Sequence, residues 1–149
     1  GPYSGPIGTV IRRAKFQPDF GAMNRLSSHF ALSFHQMEID VVVPVPSSPM
    51  RLYKRGFNPA HILAKKMAIR LNKPCLNLLK RLDSNAQTLK SRQQRRQEQS
   101  RFTMRRNTKL SSVLLVDDVR TTGSTLRDCA KVLSLAGATQ VIGIVVAVS

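Results

Sequence analysis

The sequence predicts an α/β fold built on a parallel sheet flanked by helices. Two observations carry this. Short β-branched runs alternate with longer stretches of helical period, so strand, helix and strand repeat along the chain. The final run, QVIGIVVAV at residues 140–148, is apolar enough to be buried on both faces, as strands of a parallel sheet are. A length of 149 residues suits one domain with a real core, and no internal repeat divides it.

Each element has its own signal. Phe20, Met23, Ser27, Phe30, Phe34 and Met37 recur at steps of three and four, which predicts a helix. IDVVVPV at 39–45 is a short β-branched strand ended by its prolines. Asn58-Pro59 joins a capping side chain to a proline at the first helical position, a helix start. That helix carries Leu63, Met67 and Leu71 on one face and Ala60, Ala64 and Ala68 in the neighbouring row, and Asn72-Lys73-Pro74 ends it. Residues 75–79 predict a second strand, whereas the polar, Gln-rich stretch 83–100 has no apolar period. Residues 111–116 predict a further strand. Residues 125–136 predict a helix with Leu126, Cys129, Leu133 and Ala136 on one face, closed by Gly137.

Composition narrows the function. No stretch reaches the roughly 18 consecutive apolar residues of a membrane-spanning helix, so the chain reads as soluble. Cys75 and Cys129 are the only cysteines and form no CxxC pair. Neither a disulfide scaffold nor a zinc finger is expected within these residues, and a reducing, cytoplasmic setting fits. His29, His35 and His61 are scattered, so no protein-held metal is expected. The formal charge of +16 is uneven: residues 80–109 hold ten Lys or Arg against Asp83 and Glu98, a net +8, while residues 110–149 are neutral. The basic character belongs largely to one segment.

The stretch VLLVDDVRTTGST at 113–125 carries the chemistry. Ligands of open parallel sheets sit beyond the carboxyl ends of the strands, and Asp117 and Asp118 are expected at such an end. Backbone N–H groups entering the next helix have no intrahelical partners, and the helix dipole adds positive charge, so the turn favours an anion. Gly123 lets the backbone approach, and Thr121, Thr122, Ser124 and Thr125 add hydroxyl donors. Carboxylates beside an anion cradle suit a sugar phosphate: the acids accept from vicinal hydroxyls and the cradle donates to phosphate. The same residues also fit plain helix capping, with Thr125-Leu126-Arg127-Asp128 as a capping box. Neither a Walker loop nor the GxGxxG pattern occurs.

VLLVDDVRTTGST resembles the thirteen-residue phosphoribosyl pyrophosphate (PRPP) motif of type I phosphoribosyltransferases. More narrowly, the chain is similar to the ComF/GntX competence-protein family. Tyr3-Ser4-Gly5-Pro6 to Lys15-Phe16 resembles its N-terminal segment. VVVPVP at 41–46 with Arg55-Gly56-Phe57-Asn58 resembles its V-P-V-P…R-G-F-N-Q signature, and Gln87-Thr88 through Arg95-Arg96 to Phe102 resembles its basic loop. The sequence departs at Pro59, where the family usually has Gln, and at Gln97, where it usually has Asn. The Cys-rich zinc-binding segment that often precedes the matched region has no counterpart in these residues.

The resemblance implies a type I phosphoribosyltransferase-like domain over 1–149: a parallel sheet of about five strands, a helical N-terminal hood part at 1–38, and a PRPP-binding core at 39–149. By that analogy Asp117 and Asp118 hold the ribose hydroxyls and residues 121–125 the 5′ phosphate. Lys15, Ser47, Ser48, Arg51 and Arg55 face the pyrophosphate, the last four from a loop after the first sheet strand. Residues 83–100 form a mobile loop that closes over the reacting centre, with Lys90, Arg92, Arg95, Arg96 and Arg101 serving pyrophosphate or DNA. Magnesium would arrive on the pyrophosphate of PRPP. The family implies natural transformation and contact with the competence machinery. Two roles follow: transfer of a phosphoribosyl group with release of pyrophosphate, or single-stranded DNA binding on the same fold. The sequence specifies neither the acceptor nor an oligomeric state.

Overall fold

A computed structural model describes residues 11–16, 20–82, 101–119 and 124–148. Along the chain run β1 (Ile11–Phe16), α1 (Phe20–Phe34), β2 (Val41–Pro44), α2 (Pro49–Arg55), α3 (Pro59–Leu71), β3 (Leu79–Arg81), β4 (Phe102–Met104), β5 (Ser112–Val119), α4 (Ser124–Leu135) and β6 (Gln140–Val148). Four strands form one sheet in the order β1-β6-β5-β2, and every pair in it is parallel. β3 and β4 make a separate antiparallel ribbon.

Two apolar layers sandwich this sheet, which is why β5 and β6 read as nearly unbroken hydrophobic runs. On one face Phe30 and Phe34 of α1, with Leu63, Ala64 and Met67 of α3, cover Val42, Leu114, Val116, Ile142 and Ile144. On the other, Leu126, Cys129 and Leu133 of α4, with Leu79 and Phe102 of the ribbon, cover Val43, Val113, Leu115, Val141 and Val145. Gly143 lets α4 lie close on β6: a Cβ there would stand 2.5 Å from Leu126 Cδ2.

The capping signals hold. The Ala60 amide donates to Asn58 Oδ1 at 3.1 Å, and Asn58 Nδ2 donates to the Val45 carbonyl at 3.1 Å, so one side chain starts α3 and ties it to the end of β2. Asn72 takes the left-handed conformation at φ 55 that ends the helix. Asp40 fixes the other end of the β2–β5 pair, its Oδ2 accepting from the Ser112 amide at 2.8 Å.

Several expectations change. Residues 11–16, expected within a helical hood, form an edge strand of the main sheet. Residues 49–55, read as loop, form the short helix α2, because Ser48-Pro49 is itself a helix start. The strand expected at 75–79 is a single parallel bridge, from Cys75 to Val42 on the outer edge of β2. The chain then turns and Leu79–Arg81 pairs with Phe102–Met104 instead, burying Leu78 and Leu79 under the α4 layer. The sheet is thus four strands plus that bridge among the described residues.

Candidate functional site

Topology locates the site before any side chain does. β2 and β5 are parallel neighbours, but their crossovers part. From β2 the chain passes through α2 and α3 to the Cys75 bridge on the outer side, whereas from β5 it passes through α4 to β6 on the inner side. α3 of the first crossover and α4 of the second lie on opposite faces of the sheet. Beyond the carboxyl ends of two such strands a crevice opens, and there ligands of open α/β sheets bind.

Several of the residues singled out from the sequence lie on elements that reach this edge. Ser47 and Ser48 follow β2 and are half-buried. The Val45 amide donates to the Val116 carbonyl at 2.8 Å, holding the start of that loop against β5. Arg51 and Arg55 lie on α2, just beyond it. Lys15 lies near the carboxyl end of β1 opposite Ala147, which in turn pairs with Val119 of β5. At about 4.8 Å per strand, its backbone is about 10 Å from β5. Ser124 opens α4 and Thr125 follows. Thr121, Thr122, Gly123, Lys90, Arg92, Arg95 and Arg96 lie outside the described residues, as does the proposed mobile loop.

The two acids do not end the strand. β5 continues to Val119, with Asp117 opposite Val145 and Asp118 opposite Val146. The pleat assigns positions 117 and 118 to opposite faces. Asp117 shares the α4 face with Val113 and Leu115 and is buried, only 7% exposed. Sequence reasoning put both acids at the strand end; the register sets them two residues and one residue before it.

Asp117 belongs to a charged group around the start of α4. Burial pushes the Cys129 thiol well above its ordinary value; Asp117 and Asp128 push it further, while Arg81 and Arg101 oppose them. Arg101 Nε pairs with Asp128 Oδ2 at 3.2 Å, and its Nη2 donates to Thr125 Oγ1 at 3.3 Å. The Arg81 and Arg101 guanidiniums lie 4.9 Å and 6.0 Å from the Phe102 ring centroid, within cation–π range. Arg101, read from sequence as part of a mobile basic stretch, is instead held against α4. Its carbonyl also accepts from the Leu82 amide at 2.7 Å, which carries the β3–β4 pairing one step further. Sequence reasoning missed Arg81, Phe102 and Asp128 as members of this group. Their contacts with one another span the ribbon and a distant helix, and no local pattern records them.

Comparison with known proteins defines the class. The family profile described as the phosphoribosyl transferase domain matches residues 22–149, and the chain belongs to that family. The curated relatives similar to it carry competence-protein names. It is 33% identical over 135 residues to Competence protein ComFC of Bacillus subtilis, covering 88% of this chain and 55% of the relative. To Competence protein F of Haemophilus influenzae it is 29% identical over 154 residues, covering 95% of this chain and 67% of the relative. The chain thus spans about half to two thirds of the length of these curated relatives. A purine phosphoribosyltransferase from Pyrococcus horikoshii shares the fold, with a TM-score of 0.55 at 16% identity, over 89% of this chain and 75% of that one.

Proposed function

We propose that this chain binds PRPP, or a closely related sugar phosphate, in the β2–β5 crevice and transfers its phosphoribosyl group with release of pyrophosphate. The observation that supports this most is positional: the acid pair and the start of α4 meet at the point where the two crossovers part. The family match points the same way. In this reading the 5′ phosphate rests on the amides entering α4 and on the hydroxyls of Thr121, Thr122, Ser124 and Thr125, where the helix dipole favours an anion. Asp117 and Asp118 accept from the ribose hydroxyls and hold the ring. The C1–O bond to pyrophosphate breaks as the acceptor's lone pair bonds to C1, and the acceptor then loses its proton. Ser47, Ser48, Arg51, Arg55 and Lys15 face the departing pyrophosphate, whose growing negative charge their donors and cations stabilise.

In this reading a magnesium ion would be held chiefly by the pyrophosphate itself, as hard cations on phosphate substrates usually are, and would neutralise the leaving group. The test is pyrophosphate release from PRPP with magnesium across a panel of bases and amines, beside calorimetric PRPP binding. Absence of both binding and release rejects the reading.

A second reading, single-stranded DNA binding in competence, is favoured by α2. Tyr53 there is 89% exposed beside Lys54, within the run RLYKRGF at 51–57. An open aromatic among cations is a stacking platform for a polyanion. The competence names of the relatives give that reading its setting in DNA uptake with the competence machinery. Anisotropy titrations should give binding that is sequence-tolerant, with log K falling against log salt at about 0.7 per phosphate contact. Salt-independent binding, or none, rejects it.

A further inference from the structure

We propose that Arg101 is a positioning residue for anion binding at the start of α4: it fixes the Thr125 hydroxyl as a donor to phosphate. The inference rests on the sugar-phosphate reading above and adds a residue 24 positions from the hydroxyl it orients.

The geometry carries the argument. Arg101 Nη2 donates to Thr125 Oγ1 at 3.3 Å, while its Nε is held by Asp128 Oδ2 at 3.2 Å. A hydroxyl has one proton and two lone pairs. With one lone pair occupied by a guanidinium N–H, the proton is turned away from Arg101 and left to donate elsewhere. Thr125 is in the first turn of α4, among the amides that carry the helix's positive end. A hydroxyl so oriented donates to the same anion those amides attract.

The arrangement is fixed from three sides. Asp128 sets the plane of the guanidinium, the Phe102 ring lies 6.0 Å from Cζ, and the Arg101 carbonyl accepts from Leu82 at 2.7 Å. The Arg101 and Asp128 side chains are 42% and 30% exposed. An ion pair this open adds little to stability, so holding the fold together is a poor account of it. Orientation is a better one. Only a planar fork with separate N–H groups reaches both partners at once; a lysine ammonium at this position supplies charge without the fork.

The experiment is calorimetric binding of PRPP and of inorganic phosphate to the parent, R101A, R101K, T125V, T125S and the R101A/T125V double variant, with melting curves as the check of folding. R101A and T125V should each weaken binding by about tenfold, the factor associated with one hydrogen bond to a charged group. R101K should not restore affinity, T125S should, and the double variant should bind no more weakly than T125V. All should still melt cooperatively, the R101A variants lower than the parent because Arg101 also offsets the charges of Asp117 and Asp128. Restoration by R101K, or a double variant that loses the product of the two single factors, overturns the positioning role. A parent that binds phosphate but not PRPP overturns the sugar-phosphate reading and leaves Arg101 to be judged on phosphate alone. A parent that binds neither overturns both.

Discussion

On the α1–α3 side of strand β5, Leu114 and Val116 meet an apolar surface of Phe30, Leu63, Ala64 and Met67. On the α4 side, Val113 and Leu115 meet Leu126, Cys129 and Leu133, until position 117 places a carboxylate in the same layer. From Leu114 to Val116 the first face can be optimised for packing alone. The second must accommodate a buried carboxylate near its carboxyl end, so Arg81, Arg101 and an acid from α4 accompany Asp117. The difference follows from the pleat: Leu114 and Val116 bring only apolar groups to one layer, while Val113, Leu115 and Asp117 bring a charge into the other.

The largest effect should come from cavities in both layers. Leu63→Ala and Leu126→Ala should each cost about 2–5 kcal/mol, as large-to-small core changes do. Both leucines are essentially fully buried. Only Leu126→Ala should also weaken PRPP binding, because Leu126 belongs to the first turn of α4. Calorimetric melting with PRPP titration checks this, and equal binding losses in the two variants would break the distinction between the faces.

Asp117→Asn should come next, costing about 1–3 kcal/mol because it removes a buried charge from a balanced group. Asp117→Asn should lower both stability and PRPP affinity, whereas Asp118→Asn should lower affinity with the smaller loss of stability. Denaturant unfolding beside calorimetry separates the two. Identical profiles would make the acids equivalent after all.

Asn58→Ala, on the scaffold side, should cost about 1 kcal/mol through the lost cap. The Val45 carbonyl loses its donor as well. Urea midpoints measure it.

The smallest effect belongs to Asp40. The hydrogen bond from the Ser112 amide, then that from the Ser111 side chain, hold its carboxyl below the ordinary range, with Lys73 assisting against slight desolvation. A carboxyl depressed in the fold contributes stability that is fully present above its unfolded value, about pH 3.9, and is lost as pH falls through the folded one. Asp40→Asn should therefore cost about 0.5 kcal/mol at neutral pH and reduce the loss of stability below pH 4. Melting temperatures across that range test the sign.

What the sequence disclosed depended on the range of each signal. The apolar runs of β5 and β6, the Asn58-Pro59 start and the Asn72 end are local patterns, and all were legible. β1 was not: IRRAKF has neither alternation nor an apolar run, and becomes a strand because β6 offers it an edge. α2 is seven residues long, too short to show a period. In the site, the acids and the hydroxyl run were legible as a motif. The burial of Asp117 in the α4 layer was not, since it depends on how far β5 continues. The Arg101 contacts join residues 24 and 27 positions apart and leave no trace in local sequence.

The parallel pairing of β1 with β6 places Ile11 opposite Gly143. Strands from opposite ends of the described chain become neighbours, so this part of the sheet forms by a contact of very high sequence separation, the kind that slows folding. Until β1 arrives, β6 offers a row of unpaired amides and carbonyls along IVVAV. Such an edge is a template for another chain. Removing Ile11–Phe16 should thus be felt first as self-association during refolding, ahead of any loss of ligand, which makes the first strand a guard against aggregation as much as a part of the fold.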